Sequence, residues 1–155
     1  MLALNLLLAL IWMLLRGRFQ PGSFLVGFAL GYVGLALARG PAGETAYFGK
    51  ARQLAGFGWF FLCELFRANL RVALEVVTPR LHVEPGIVAV PLDLRSDEAI
   101  TLLANLITLT PGALTLDVSE DRTTLFVHTL YVRDPDAFRR QIKEGFERRL
   151  RELFE

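Results

Sequence analysis

Four charged residues stand at helical intervals inside an otherwise apolar stretch: Glu64, Arg67, Arg71 and Glu75, at i, i+3, i+7 and i+11. Spacings of three and four residues bring side chains onto one face of a helix, where opposite charges can pair. Near a bilayer the same groups could instead border a path for protons or cations. The spacing favours paired charges at a headgroup boundary or subunit contact, with the ion path as the alternative.

No other grouping has the spacing that chemistry needs. Asp93, Asp97, Glu98, Asp117, Glu120 and Asp121 are candidates for acid–base work or a cation site, but nothing pairs them. The run Asp117 to Asp121 lacks the glycine and ligand alternation of a calcium loop and reads as a solvated hairpin turn. His128 falls in a strand without an HxxxH or HxE partner and His82 in a linker, so no metal site is expected. Cys63 is the sole cysteine, which leaves no disulfide or CxxC motif, and it reads as inert apolar filler. Neither GxSxG, nor Walker A, nor a Ser/His/Asp grouping occurs. The expectation is a chain that is no enzyme, with no catalytic residues and no cofactor.

The composition points to a chain divided between two solvents. Hydrophobic residues make up 53% of its 155 residues and the mean hydropathy is +0.40, yet 21% are charged. Met1 to Pro85 holds eight basic and four acidic residues, a balance of +4; Gly86 to Glu155 holds nine basic and twelve acidic, a balance of −3. A second half of that sign is a poor electrostatic footprint for nucleic acid.

The elements that must position these residues follow from the apolar pattern. Met1 to Leu15 and Phe24 to Ala38 are uncharged runs separated by Arg16, Arg18, Pro21 and Gly22, which predicts a helical hairpin in a membrane. Each run is about 22 Å of helix, short of the roughly 30 Å of hydrocarbon, so flanking arginines must snorkel or neighbours must thin the lipid. The first run has no basic residue ahead of it and reads as retained rather than cleaved. Gly27, Gly31 and Gly34 in the second run give a GxxxG spacing followed by a further glycine, a face suited to close helix contact. A nucleotide loop is not implied, since no strand precedes these glycines and no lysine follows.

Arg39 to Gln53 is a connector, and Leu54 to Thr78 is a third, long, partly amphipathic helix. Its first ten residues are uncharged and aromatic, which suits entry into lipid; its second half carries the four charges and suits emergence. If this helix spans, there are three crossings; if it lies on the surface, two, and the side of the amino terminus changes with it. Residues 1–78 are thus expected as the membrane-embedded part, 79–86 as a linker and 87–155 as a small domain.

That domain reads as βαββα. Ile87 to Asp93 is a strand placed at a sheet edge by Pro91. Ser96, Asp97 and Glu98 open a helix that Thr110-Pro111-Gly112 closes after Leu109, and it is expected buried against the sheet. Ala113 to Val118 and Thr123 to Val132 are strands. Asp134-Pro135 starts a last helix whose buried face is expected to be Phe138, Ile142, Phe146, Leu150 and Phe154. With the third strand slotted between the first two, this is the split, ferredoxin-like arrangement of an α+β fold.

Several blocks resemble a known family. Leu102 to Asp121 (LLANLITLTPGALTLDVSED), Leu125 to Phe138 and Ile142 to Leu150 look like the E subunit of multisubunit Mrp-type (Mnh, Pha) sodium/proton antiporters, as do Pro85 to Leu94 and Glu64 to Ala73. Ala113 and Leu116 stand where Thr and Val are expected. The resemblance implies an accessory component of a multisubunit antiporter that exchanges sodium or another monovalent cation for protons across a bacterial inner membrane. Its partners would be the large proton-handling subunits and the small membrane subunits, with the carboxy-terminal domain cytoplasmic. The competing class is a membrane-tethered regulatory or ligand-binding domain, since fold alone does not decide function.

Overall fold

The computed structural model describes residues 1–39, 46–78 and 83–154. They fall into two compact units, residues 1–52 and 53–155, each with its own packing.

The first unit is a helical hairpin. α1 spans Leu2–Arg16 and α2 spans Pro21–Arg39. Gly17 ends α1 in the left-handed region at φ 61°, and its N–H and that of Arg18 cap the carbonyls of Leu14 and Met13. A residue with a Cβ is strained there, which is why glycine holds that position. Pro21, with no N–H to leave unsatisfied, occupies the first position of α2. Among the described helices only α2 is long and apolar enough to cross a bilayer, and α1 is shorter.

α3 spans Ala46–Val77 and starts eight residues earlier than the apolar pattern suggested. Its first turn belongs to the hairpin unit: Tyr47 and Phe48 pack on Tyr32, with ring centroids 6.0 and 5.1 Å apart. From residue 53 onward it belongs with the carboxy-terminal part of the chain. The two compact units thus divide at residue 52, inside this helix, whereas the expected division at residue 78 follows the apolar pattern.

The second unit is built on a three-stranded sheet in the order β1-β3-β2. β1 is Gly86–Pro91, β2 is Ala113–Val118 and β3 is Thr124–Thr129, antiparallel to both neighbours. Pro91 stands on an edge strand, where its missing donor breaks no ladder. Val88, Val90, Leu125 and Val127 form the covered face. α4, Asp97–Leu109, lays Ala99, Ile100, Leu103, Leu106 and Ile107 in the core, and the Ser96 hydroxyl caps it by accepting the Ala99 N–H. The last helical stretch runs from α5, Pro135–Gln141, through a π-helical segment, Ile142–Glu147, into α6, Arg148–Phe154. Ile142, Phe146 and Leu150 are its buried members. Each fully buried Leu contributes roughly 1.5–3 kcal/mol, so this shared layer holds the unit together.

The strand expected at Ala113 to Val118 is present, with Leu114 and Leu116 exposed and Thr115 turned to α4, donating its hydroxyl to the Ala104 carbonyl at 3.1 Å. Three other sequence expectations are corrected. β3 ends at Thr129 rather than Val132, and beyond it Glu84 stands opposite Tyr131 in an isolated parallel bridge, donating its N–H to the Leu130 carbonyl and accepting the Val132 N–H. Phe154 is exposed, while Glu147 is buried in its place. The uncharged half of α3 does not have lipid all round it: Phe57 is buried in the domain core, and Phe60 and Phe61 pack edge-on against Phe146.

Candidate functional site

The charged face of α3 and the turn after α4 enclose a groove of about 260 Å³. On one wall stand Glu64, Arg67 and Arg71; on the other, Pro111, Gly112 and Tyr131. The Thr110 hydroxyl closes α4 by donating to the Leu106 carbonyl. Gly112 then turns the chain at φ 91°, with the Tyr131 ring 3.2 Å from where a Cβ would lie. The backbone angle strains any residue with a Cβ there, and the ring would have to shift to admit one.

Within the groove, Glu64 is half-buried and doubly held. One carboxylate oxygen accepts from the Arg67 guanidinium at 2.7 Å, and the other from the Gln141 amide at 3.4 Å. Arg67 itself is largely exposed, so this ion pair is worth at most about 1 kcal/mol. The Arg71 guanidinium lies over the Tyr131 ring at 5.3 Å, a cation–π contact. The Tyr131 hydroxyl is buried with no hydrogen-bond partner among the described residues. Glu75 lies farther along the helix, half-buried. The groove thus sets Glu64, Arg67 and Arg71 against the domain's own residues.

A second polar cluster has no counterpart in the sequence reading. Glu147, with a side chain only 2% exposed, accepts the backbone N–H groups of Asp93 and Leu94 on one oxygen. Lys143 stands 3.1 Å from the other oxygen and 2.8 Å from Asp93. The lysine's hydrogen bond holds the Asp93 carboxyl below the usual carboxylate range, against a smaller opposing effect of burial. The cluster ties the segment after β1 to the last helix. Its one signal in the sequence is the i,i+4 spacing of Lys143 and Glu147, masked because a glutamate beside arginines reads as solvated.

The expected hairpin turn at Asp117 to Asp121 is a turn. Asp121 accepts from the Ser119 and Thr123 hydroxyls and the Thr123 N–H, which lowers its pKa. Arg122 sits at φ 58° and pairs with Asp97 at 2.6 Å. His128 is opposite Ile87 and Leu114 on the sheet, Cys63 is a free, half-buried thiol, and His82 lies outside the described residues. Among the described residues no three His, Cys, Asp or Glu come together as a metal site would require.

The glycines of α2 divide. A Cβ at Gly27 would lie 2.8 Å from the Trp12 Cβ, and one at Gly31 would overlap the Asn5 amide oxygen, so both lie against α1; a Cβ at Gly34 would have no atom of the described residues within 4 Å. Asn5, the only polar residue in the first apolar run, is buried and donates to the Tyr47 hydroxyl at 2.8 Å.

Residues 5–153 match the family model described as Na+/H+ ion antiporter subunit, MNHE. The chain belongs to this family. Its relatives match end to end: the E subunit of the Na(+)/H(+) antiporter of Bacillus subtilis is 36% identical over 150 residues, covering 97% of this chain and 95% of that protein. The E1 subunit of the Na(+)/H(+) antiporter of Staphylococcus haemolyticus is 36% identical over 152 residues, covering 98% and 96%. Among solved structures, a chain of the archaeal membrane-bound sulfane sulfur reductase, a respiratory membrane complex, superposes with a TM-score of 0.61 at 28% identity, covering 99% of this chain and 98% of that one. A chain of the Mrp complex from Dietzia sp. DQ12-45-1b does so with a TM-score of 0.52 at 29% identity, covering 66% and 96%. A member of an antiporter-subunit family is a transporter component located in a membrane.

Proposed function

We propose that this chain is an accessory, non-catalytic component of a multisubunit antiporter that exchanges Na+ or another monovalent cation for protons, and that it supports assembly of that complex. The observation that carries the reading is the state of Glu64. Its two carboxylate oxygens are engaged by Arg67 and Gln141, and Arg71 is laid on Tyr131. Charges committed to the chain's own side chains serve packing, whereas an ion-carrying carboxylate must be free to exchange partners. The groups that handle protons belong, in this reading, to larger neighbouring subunits. α1 and α2 both cross the inner membrane as short helices, and the unit after residue 53 is cytoplasmic.

The sheet order β1-β3-β2 with its helices supports classing the second unit as a split ferredoxin-like domain that lacks a fourth strand.

The test replaces Glu64 by Gln in the complete complex and measures two quantities separately: the amount of assembled complex in the membrane, and cation/proton exchange per assembled complex in vesicles. The expected result is reduced abundance with unchanged exchange per complex. Normal abundance with exchange lost would place Glu64 in the ion path.

A further inference from the structure

We propose that α3 lies in the plane of the bilayer surface, with Trp59, Leu62, Phe66, Leu70 and Leu74 at the boundary between headgroups and acyl chains and the second unit carried on its opposite face. These five residues recur at intervals of three and four, so they share one helical stripe, and all are exposed, Trp59 by 71% and Phe66 by 70%. No charged residue falls within the stripe. Arg67 borders it on one side and is 70% exposed despite its contact with Glu64, so anionic headgroups could reach it there. Trp at one end of such a stripe suits the same boundary.

The opposite face of the helix excludes a crossing. Phe60 and Phe61 are packed on Phe146, Phe57 is buried in the same core, the Arg149 guanidinium lies 3.9 Å above the Phe60 ring, and Glu64 is held by Gln141. A helix sheathed on one side by a polar α+β unit cannot take that side through hydrocarbon. The domain thus supplies the polar face that a free amphipathic helix would carry itself. Continuity selects lipid over a protein partner for the stripe. The same unbroken helix begins packed against the membrane hairpin, at Tyr47 and Phe48, and Trp59 follows Phe48 by only about 16 Å of helix.

The experiment places a nitroxide label at four of the five stripe positions in turn, using Leu62→Cys, Phe66→Cys, Leu70→Cys and Leu74→Cys in a Cys63→Ala background. The complete complex is reconstituted in vesicles of phosphatidylethanolamine and phosphatidylglycerol, and collisions with oxygen and with a water-soluble nickel chelate give the depth. All four labels are expected at one shallow depth, within about 5–10 Å of the boundary, with several-fold more collisions with oxygen than with nickel. A spanning helix would instead separate Leu62 from Leu74 by about 18 Å of depth, and that result overturns the proposal. Labels shielded from both reagents would also overturn it, by showing a neighbouring protein on the stripe. Where a label prevents assembly, the difference in fluorescence between complexes carrying Trp12→Phe and those carrying Trp12→Phe with Trp59→Phe isolates Trp59 and reads its depth without a label. Stronger quenching by lipids brominated near the headgroup than near the chain end supports the proposal; the reverse order, or no quenching by either, overturns it.

Discussion

Asn5 and Gly31 face each other across the contact between α1 and α2 with no space for a side chain between them: a Cβ on Gly31 would overlap the Asn5 amide oxygen. In the bilayer placement proposed above, helices gain nothing by hiding apolar surface from one another, so this approach, together with the Asn5 hydrogen bond to Tyr47, holds the hairpin.

Gly31→Ala is therefore expected to weaken the hairpin by about 1–3 kcal/mol, and Gly31→Leu to abolish its native packing. At Gly34, three residues away, an added Cβ has no described atom within 4 Å, so Gly34→Leu serves as the control. Crosslinking between cysteines placed on α1 and α2 should be lost in Gly31→Leu and retained in Gly34→Leu. Equal loss in both would mean that helix propensity, not this contact, decides.

Glu147 anchors the segment after β1 through two backbone N–H groups and Lys143. Glu147→Ala leaves those buried donors without an acceptor and should destabilise the second unit by about 2–3 kcal/mol. Glu147→Gln retains an acceptor and should cost less. Denaturant unfolding of the purified full chain in detergent ranks the two, and equal losses would assign the whole effect to charge.

Gly112 sits at φ 91° with the Tyr131 ring against it. Gly112→Ala should cost about 1–3 kcal/mol from backbone strain alone, and should displace the Tyr131 ring on which Arg71 rests. Denaturant unfolding measures the first. The second is read as a changed environment of Tyr131 in ultraviolet absorption, compared with Tyr131→Phe.

The pH dependence has a definite sign. Asp93 and Asp121 both have folded-state pKa values below the ordinary 3.8, Asp93 because Lys143 binds its charged form and Asp121 because Ser119 and Thr123 do. A depressed folded pKa stabilises the fold above the unfolded value and loses that contribution as pH falls through the folded one. The second unit should thus lose stability on acidification from near the ordinary carboxylate value downward. Asp93→Asn should flatten that fall when thermal unfolding is followed across the acid range. An unaltered slope would remove Asp93 from the account.

Much of this was legible in the residues. The Ser96 and Asp134 caps and Pro91 at a sheet edge follow from local rules, because capping and a missing donor each act over a few residues, and the third strand between the first two follows from the handedness rule for a β-α-β crossover. The spacing of Phe138, Ile142, Phe146 and Leu150 also holds a signal for the shape of the last helix. Four-residue steps overshoot an α-helical turn by about 40° each, and the widened π turn from Ile142 to Glu147 absorbs that overshoot.

By itself, then, the sequence determined the family and, to within a few residues for most of them, where the helices and strands begin. Only the tertiary structure decided which apolar surfaces are covered. The first half of α3 is apolar all round, so no periodicity separates Phe57, which enters the domain core, from Trp59, which does not. In β2 the alternation of Leu114 and Leu116 marks a strand but not which face the helices will pack on. Hydrophobicity is a property of a residue, whereas burial depends on what else folds against it.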